Sequence, residues 1–461
     1  MEEREGQNNK KRRLWIPVAA VAVVAAVVGG IFGFKALHRK KLGKYDAMYE
    51  DSAILKYAVG LPVYGHYSRE TNADEYWIQV AKAGRELREY GTEKAVGPVS
   101  RFGGKLAKDI FSKRNGQNSV FSPVNIYLAL GMLAETSAGN TRAEILKLTE
   151  SDSIDDMRTR YGLIWNSVYQ DDENAKCMLG SSLWLRDDSK YEEYTVKRLA
   201  DTYYSATFRG KMGSEKYNEA LRKWLNLHTG GMLENTVANE NFKEDAMFAL
   251  VTTILFKGRW SDQFGEYGTK NSIFHAASED LRVPFMNETA FDGSFYGGER
   301  FGATKKRLEN GSMLFLLPDE GVSVDELLLD SEAMSLLTGE KADASVWSGK
   351  TIHLSVPKFD ISGSADLTRT LENLGMQEAF KPGADFSPLL KKNNAYVDWI
   401  NHAARVKIDE EGVEGAAYTV IAASQAMVES EEIDFILDRP FLFSVLSEDG
   451  IPLFIGVVEK P

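Results

Sequence analysis

Histidine, cysteine and paired acidic residues are the side chains here that could carry catalytic or metal chemistry. The chain has 461 residues, with six histidines and one cysteine, Cys177. The sequence contains no Gly-x-Ser-x-Gly elbow, no Walker or Gly-x-Gly-x-x-Gly loop and no His-Glu-x-x-His motif. Cys177 precedes a strand-like segment and is predicted to be a half-buried packing residue. Nothing in these patterns indicates an enzyme, a metal site or a cofactor.

One segment, residues 409–433, is unusual for a connection between elements, because such connections are normally short and polar. An acidic start and Gly412 are followed by a proline-free run of small and β-branched residues. In an extended chain alternate residues share a face. One face would hold Val413, Gly415, Ala417 and Thr419, and the other Glu414, Ala416 and Tyr418. The uncharged first face predicts a strand that can enter a sheet, although a strand that never moves fits the same pattern.

Helix and strand patterns both occur from about Ala95 to the end of the chain, and they do not alternate as βαβ units. Ser122-Pro123 predicts a helix start, and Thr141 to Glu144 has the form of a capping box. Residues 351–357 alternate as a half-buried strand does. Residues 441–458 predict a buried hairpin around an Asp-Gly turn. The predicted class is α+β, with one large domain.

The N-terminal region predicts a membrane anchor. Residues 14–34 are uncharged and, as a helix, would span about 30 Å, the thickness of a bilayer core. We expect a short tail (1–13), a transmembrane helix (14–34) and a partly helical tether (35–92) ahead of the large domain (93–461). Each flank of the helix carries five Lys/Arg, so charge does not set the orientation. A cytoplasmic tail with the large domain outside the cell is the orientation that the family resemblance described below implies. A cleaved signal peptide is the alternative.

Charge is unevenly distributed along the chain. Residues 1–44 contribute ten Lys/Arg and three Glu to a net charge of −12, so the rest of the chain carries −19. An acidic body argues against a nucleic-acid partner.

The stretch from Glu410 to Thr419 resembles the hinge of the reactive-centre loop of serpins, a family of serine protease inhibitors. The matching residues are Glu410, Glu411, Gly412, Glu414, Ala416, Ala417 and Thr419. Val413 and Gly415 depart from the usual Thr/Ser and Ala. The resemblance covers nearly all of 95–461. It places Ser122, Asn125 and His402 in the part of the main sheet called the shutter, and Trp260 in the part called the breach. Thr252 stands where the shutter usually has asparagine.

The resemblance implies a serpin fold with three mostly antiparallel β-sheets, eight or nine helices and an exposed reactive-centre loop at about 410–433. It implies a monomer without metal or cofactor that forms a covalent acyl complex with a target serine protease and inserts the cleaved loop as a strand. Counting forward from Gly412, as the family does, predicts a reactive bond at Ala426–Met427. Counting back from Pro440 places it nearer Glu429.

An apolar residue at the reactive bond implies an elastase-like or subtilisin-like target. A non-inhibitory serpin that acts as a binding protein is the first alternative, and a membrane-tethered enzyme is the second. An anchor together with a single cysteine is compatible with a bacterial cell surface.

Overall fold

The computed structural model describes residues 51–62, 73–172, 175–340, 347–391, 395–397, 400–413 and 431–461. The predicted transmembrane helix, the hinge from Glu414 onward and the predicted reactive bond lie outside these ranges. Within them, no helix combines the length and apolar character that a membrane crossing requires.

The described residues form twelve α-helices, of which several are single turns. The helices are α1 (Ser52–Leu55), α2 (Ala73–Tyr90), α3 (Thr92–Ser112), α4 (Pro123–Thr136), α5 (Gly139–Leu148), α6 (Ile154–Val168), α7 (Glu193–Tyr203), α8 (Glu215–His228), α9 (Glu234–Val237), α10 (Val324–Leu329), α11 (Ser331–Leu337) and α12 (Thr368–Asn373).

Seventeen strands are present in the same ranges. The first nine are β1 (Ala58–Gly60), β2 (Ser119–Phe121), β3 (Gln170–Asp171), β4 (Ala175–Arg186), β5 (Ser205–Gly210), β6 (Phe248–Arg259), β7 (Lys270–Ala276), β8 (Glu279–Gly297) and β9 (Phe301–Leu308). The others are β10 (Gly311–Pro318), β11 (Ser348–Pro357), β12 (Phe359–Asp366), β13 (Asn401–Ile408), β14 (Gly412–Val413), β15 (Glu432–Ile436), β16 (Phe441–Leu446) and β17 (Pro452–Val458).

Helix α4 forms the centre of the molecule. Ser122 is its N-cap, where its hydroxyl accepts from the amide of Asn125, and Pro123 occupies the first helical position, as the sequence predicts. The helix is apolar on nearly all sides and packs against both β6 and β17, as expected for a helix buried within a core.

The capping-box prediction at Thr141 is wrong. Helix α5 begins earlier, at Gly139, so Thr141 lies within it. The Thr141 hydroxyl accepts from the amide of Asp385 instead, and a carboxylate oxygen of Glu144 accepts from two amides of the segment at Gln377. The hydroxyl of Thr141 and the carboxylate of Glu144 both bond to residues distant in sequence, which the local sequence pattern could not show.

An eight-stranded sheet, called the main sheet below, has the order β1-β5-β4-β6-β14-β13-β12, with β3 beside β4. Along β13 the side chains of His402, Ala404, Val406 and Ile408 are buried, and the residues between them are less buried. The main sheet therefore has an inner face toward the core. Its outer face carries the intervening residues.

The second sheet has nine strands in the order β15-β11-β8-β9-β10-β16-β17-β2, with β7 beside β8. The predicted buried hairpin is β16 and β17, and the predicted strand at 351–357 lies in β11. The α+β class is confirmed, but two continuous sheets stand where three were expected. The long strand β8 pairs with β7 over residues 279–285, with β11 over residues 285–295 and with β9 over residues 294–297, and so joins two sheets into one.

Part of the predicted tether packs on the domain. β1 adds an edge strand to β5, with Ala58 opposite Phe208. Ile54 and Leu61 on either side of β1 are buried. This short segment therefore closes one edge of the main sheet, a role that the sequence did not indicate.

Candidate strand-insertion site

Strand β14 lies between β6 and β13 in the main sheet. Val413 pairs with Gly258 of β6 and with Ile408 of β13, and its side chain is 3% exposed. Beyond Val413, no described strand pairs with the facing edges of β6 and β13, and these two strands do not pair with each other in the described residues. We call this interval between β6 and β13 the insertion slot.

Gly412 fits this position because it has no side chain. A β-carbon there would lie 2.2 Å from the carbonyl oxygen of Gly258 and 2.8 Å from the Cα of Arg259. Any other residue would have to push β14 away from β6. The glycine of the hinge pattern is therefore required by the close approach of two backbones.

The turn that leads into β14 is held by its own first residue. The Asp409 carboxylate accepts from the amides of Glu411 at 3.0 Å and of Gly412 at 3.3 Å. The Asp409 amide donates to the carbonyl oxygen of Gly412 at 3.0 Å. These bonds fold the chain back from β13 toward the slot.

Trp260 fixes the same turn from the end of β6. Its amide donates to the carbonyl of Glu411 and its indole N–H to the carbonyl of Asp409, both at 2.9 Å. The ring is 2% exposed and packs edge-on against Phe264, whose amide donates to the carbonyl of Glu410. Trp260 thus holds the turn that leads into β14.

Glu410 ties the turn to the second sheet. Its carboxylate lies 2.5 Å from Nζ of Lys358 and accepts from the hydroxyl of Thr269 at 2.7 Å. Burial acts to raise the pKa of this carboxyl, but the bonds from Lys358 and Thr269 outweigh it and the pKa is lowered. Glu410 is therefore ionised at neutral pH.

A buried ion pair lies beside Trp260. Nζ of Lys306 is 2.6 Å from a carboxylate oxygen of Glu288, and it lies 4.3 Å from the ring centre of Phe264. Burial lowers the pKa of Lys306 and raises that of Glu288. No pattern in the sequence marks this pair, because its members come from different strands and belong to no motif.

The second cluster surrounds His402 under the middle of the slot. Nε2 of His402 accepts from the amide of Ser122 at 2.9 Å. Burial lowers the pKa of His402 to about 4, so the imidazole is neutral at pH 7 and can act as an acceptor. Asn125 and Thr252 exchange two bonds, from the amide side chain at 3.5 Å and from the hydroxyl at 3.4 Å.

Cys177 is more deeply buried than predicted. It lies in β4 opposite Phe256 and is 2% exposed. Burial raises the pKa of its thiol to about 12, so the thiolate needed for nucleophilic chemistry is not populated at neutral pH. Cys177 is a core residue.

The two-residue strand β14 therefore lies between two longer strands of the main sheet, at the end of the described residues 400–413. Residues 98–461 match the family model described as Serpin (serine protease inhibitor). The chain belongs to the serpin family, which consists of protease inhibitors and binding proteins and not of catalytic enzymes.

Curated relatives agree with this assignment. Alpha-1-antiproteinase of Rattus norvegicus is 27% identical over 375 residues, which cover 79% of this chain and 88% of the relative. An alpha-1-antitrypsin of Mus musculus is 28% identical over 371 residues, which cover 77% of this chain and 86% of the relative.

Solved structures share the fold. The native state of tengpin, a thermophilic serpin, has a TM-score of 0.70 at 24% identity and covers 79% of this chain and 93% of its own. Human thyroxine-binding globulin in complex with thyroxine has a TM-score of 0.71 at 23% identity. The match covers 80% of this chain and 99% of the globulin chain. At these identities the likeness concerns the fold alone.

Proposed function

We propose that this protein is a suicide-substrate inhibitor of an extracellular serine-type endopeptidase. One observation carries the proposal. β14 already occupies the first position between β6 and β13, and the chain that follows it is the predicted reactive-centre loop. A cut in that loop would free a segment that is attached in register to two strand edges. Strand addition then supplies main-chain hydrogen bonds along the slot.

Continuing the β14 ladder in register supports this mechanism. Val413 lies opposite Ile408 on the inner face, so every second residue after it would also face inward. The pairs with β13 would be Gly415 with Val406, Ala417 with Ala404 and Thr419 with His402. The inward residues are small or β-branched and uncharged, as a strand that slides over a packed core requires.

Thr419 would also find a polar partner. In the continued ladder it comes level with Thr252, which is hydrogen-bonded to Asn125. The side-chain oxygen of Asn125 is buried and has no hydrogen-bond partner among the described residues. The Thr419 hydroxyl would donate to that oxygen, which removes the cost of a buried unsatisfied acceptor.

The proposed chemistry is the normal reaction of a serine protease, stopped after the acyl-enzyme has formed. The protease serine attacks the carbonyl carbon of Ala426, the peptide bond to Met427 breaks, and the new amine leaves with the proton passed on by the protease histidine. An ester joins the two proteins. Insertion of about 14 residues at ~3.3 Å each would carry the attached protease about 45 Å before water can release it.

The amino-acid composition of the predicted reactive-centre loop supports a proposal for the class of target protease. No lysine or arginine occurs between Lys407 and Arg439, so a trypsin-like pocket has no residue to bind. Alanine or methionine at the reactive bond suits a small or medium apolar pocket, as in elastase-like or subtilisin-like proteases. Count-back from Pro440 places the bond nearer Glu429, and a valine at the reactive bond would suit the same pockets.

We further propose that residues 14–34 anchor the protein as a single-pass helix with the serpin domain outside the cell. The support is the length and lack of charge of this run and its position ahead of the domain. A target at the cell surface follows from this placement. Protease accessibility of the domain in intact cells tests the orientation.

A non-inhibitory binding protein is the second candidate. It is favoured by the shared fold of thyroxine-binding globulin, which is described as a complex with thyroxine. The sequence of the hinge distinguishes an inhibitor from a non-inhibitory binding protein. A charged or bulky residue on the inward face would block insertion, and no such residue occurs on that face from Val413 to Thr419.

The deciding experiment mixes the purified protein with elastase-like, subtilisin-like and trypsin-like proteases and looks for a complex that survives SDS. We expect one with an apolar-pocket protease. Val413→Arg puts a charge on the buried face and should convert the inhibitor into a substrate that is cut without trapping. Tyr418→Arg is the matched control, because position 418 has outward parity, and this variant should still trap. If Val413→Arg traps the protease as well as the parent and Tyr418→Arg do, strand insertion is excluded.

A further inference from the structure

Residues 51–62, called the clamp below, fix the point at which the N-terminal part of the chain joins the domain. The amide of Arg209 on β5 donates to the carbonyl oxygen of Tyr57 at 2.8 Å. The ring of Tyr57 meets that of Tyr217 on α8 edge-on, with 5.0 Å between the ring centres. The side chain of Ile54 is also buried. The clamp is therefore bound to both β5 and α8.

The second half of the clamp is held as closely. Ala58 pairs with Phe208, so β1 is attached to the edge of the main sheet by main-chain hydrogen bonds. A β-carbon on Gly60 would lie 2.8 Å from Cγ1 of Val196 on α7, and Leu61 is buried. Backbone pairing and two buried apolar side chains therefore keep this segment on the domain.

The clamp and β14 lie at opposite ends of the main sheet. Arg209, the partner of the clamp, is level with Leu185 of β4, which pairs with Phe248, the first residue of β6. Val413 pairs with Gly258, ten residues further along β6. At ~3.3 Å per residue, the clamp and β14 are about 33 Å apart along the strands.

The clamp limits how far the domain can turn over on a membrane anchor. The proposed anchor ends at Phe34, so the sixteen residues 35–50 connect it to the clamp. A chain of sixteen residues reaches about 55 Å when fully extended and about 22 Å as the root-mean-square length of a random coil. To bring the β14 end to the bilayer, this chain would have to run back along the sheet for about 33 Å or more. Few conformations of so short a chain span that distance beside a folded domain.

We propose that the clamp orients the anchored domain, with the clamp end of the main sheet toward the bilayer and the β14 end away from it. The proposal rests on the proposed function, because it needs the anchor at residues 14–34. In this upright arrangement the β14 end lies about 55 Å above the bilayer. The predicted reactive-centre loop begins at that end, after Val413, so its partner is a protease that arrives from solution.

The experiment measures the distance of each end from the bilayer by energy transfer. The full-length protein is reconstituted in phosphatidylcholine vesicles that carry an acceptor dye on their headgroups. The donor dye is attached at Lys211→Cys, directly after β5, or at Tyr267→Cys, two residues before Thr269, which bonds to Glu410. Both positions are exposed, whereas Cys177 is buried and takes up no dye. The dye at position 211 should lie nearer the bilayer by about 20 Å, somewhat less than the full separation because the domain tilts.

A variant with Ile54→Ser and Leu61→Ser tests whether the clamp sets this difference. The next described helix, α2, begins at Ala73, so release of the clamp lengthens the connection to the anchor to residues 35–72. A chain of that length reaches about 120 Å or more, and the difference should fall below about 10 Å. Val59→Ser is the matched control, since Val59 lies on β1 but is 44% exposed, and it should keep the difference seen in the parent. A clamp variant that keeps it as well overturns the proposal.

An insertion of about twenty Gly/Ser residues between Glu50 and Asp51 is a second test, which leaves every described side chain in place. The longer connection allows the domain to turn over, so the two dyes should report nearly equal distances. An unchanged difference would show that the short connection to the clamp does not orient the domain. Equal distances in the parent overturn the proposal directly.

Flotation and protease trapping separate this proposal from the proposed function. If the parent is washed off the vesicles by alkaline carbonate, the anchor fails and the orientation fails with it. If the parent stays anchored and shows the distance difference but traps no protease, the orientation stands and the inhibitor function fails. If it traps a protease while both ends lie equally far from the bilayer, only the orientation fails.

Discussion

The indole N–H of Trp260 donates to the carbonyl oxygen of Asp409 at 2.9 Å, which joins the end of β6 to the turn before β14. Trp260→Phe removes this bond and leaves a gap beside Phe264. We expect a loss of about 1–3 kcal/mol in the free energy of unfolding, measured by urea denaturation. Trp77→Phe is the control, since Trp77 is 50% exposed, and it should change stability by under about 0.5 kcal/mol. Equal effects would contradict a structural role for the indole bond.

Gly412→Ala tests the close approach of β14 to Gly258. The added methyl carbon overlaps the backbone of β6, so β14 must shift outward, at a cost of about 1–3 kcal/mol. Gly162→Ala is the matched control, because a β-carbon at Gly162, within α6, meets nothing within 4 Å. That variant should be neutral or up to about 1 kcal/mol more stable. An unaltered thermal midpoint for Gly412→Ala would show that β14 is not held against β6.

Glu410→Gln tests the tie to Lys358. The pKa of Glu410 is lowered in the folded protein from an ordinary value of 4.5. A carboxyl whose pKa is lower in the folded state than in the unfolded state stabilises the fold at pH values above its unfolded-state pKa. This contribution is lost as the pH falls through the folded-state pKa. We expect the parent to exceed the variant by about 1–2 kcal/mol at pH 7, with the difference lost as the pH falls below 4.5 and through the lowered pKa of Glu410. A difference that persists in acid would assign the effect to packing.

His402→Gln tests the neutral imidazole. Burial lowers the pKa of His402 to about 4 from 6.5, so the unfolded chain binds the proton more tightly. Stability is therefore greatest above pH 6.5 and falls as the pH drops toward 4, by up to about 3 kcal/mol for this residue. Glutamine can still accept from the amide of Ser122 but does not titrate. The variant should lose part of this pH dependence, and an identical slope would contradict the assignment.

Deleting residues 1–62 tests the edge strand β1. The deletion removes the pairing with β5 and the burial of Ile54 and Leu61, at an expected cost of about 3 kcal/mol or more. Deletion of residues 1–50 is the control, because it leaves this segment in place. The thermal midpoint should fall only for the longer deletion. Identical midpoints would show that the segment does not stabilise the domain.

The burial of Val413 was accessible to prediction because the alternation that sets it is local, whereas the hinge from Glu414 to Thr419 lies outside the described residues and stays a prediction. Alternation alone assigned Val413 to an inward face, and the structure buries that side chain between β6 and β13. Gly412 is needed for the close contact between the backbones of β14 and β6, and the hinge motif already includes this glycine. Trp260 and His402 were found through ordered motifs and not through any periodic pattern.

The partners of the hinge were not predictable in the same way. Lys358 and Thr269, which bind Glu410, come from segments that only the fold brings together. The buried pair Lys306–Glu288 has no sequence signal, since each residue alone suggests a solvated strand position. The number of sheets depends on β8, whose continuity across both pairing regions is a matter of tertiary twist and not of composition.

The two-residue strand β14 has a kinetic consequence. The unfavourable step in forming any ordered array is making the first rung, because chain entropy is lost before many bonds are gained. Here that rung is built into the uncut molecule, with Val413 already bonded on both sides. In the proposed mechanism, the residues that follow would need only to extend this nucleus after cleavage, so insertion would compete with hydrolysis from a start at which its slowest step is complete.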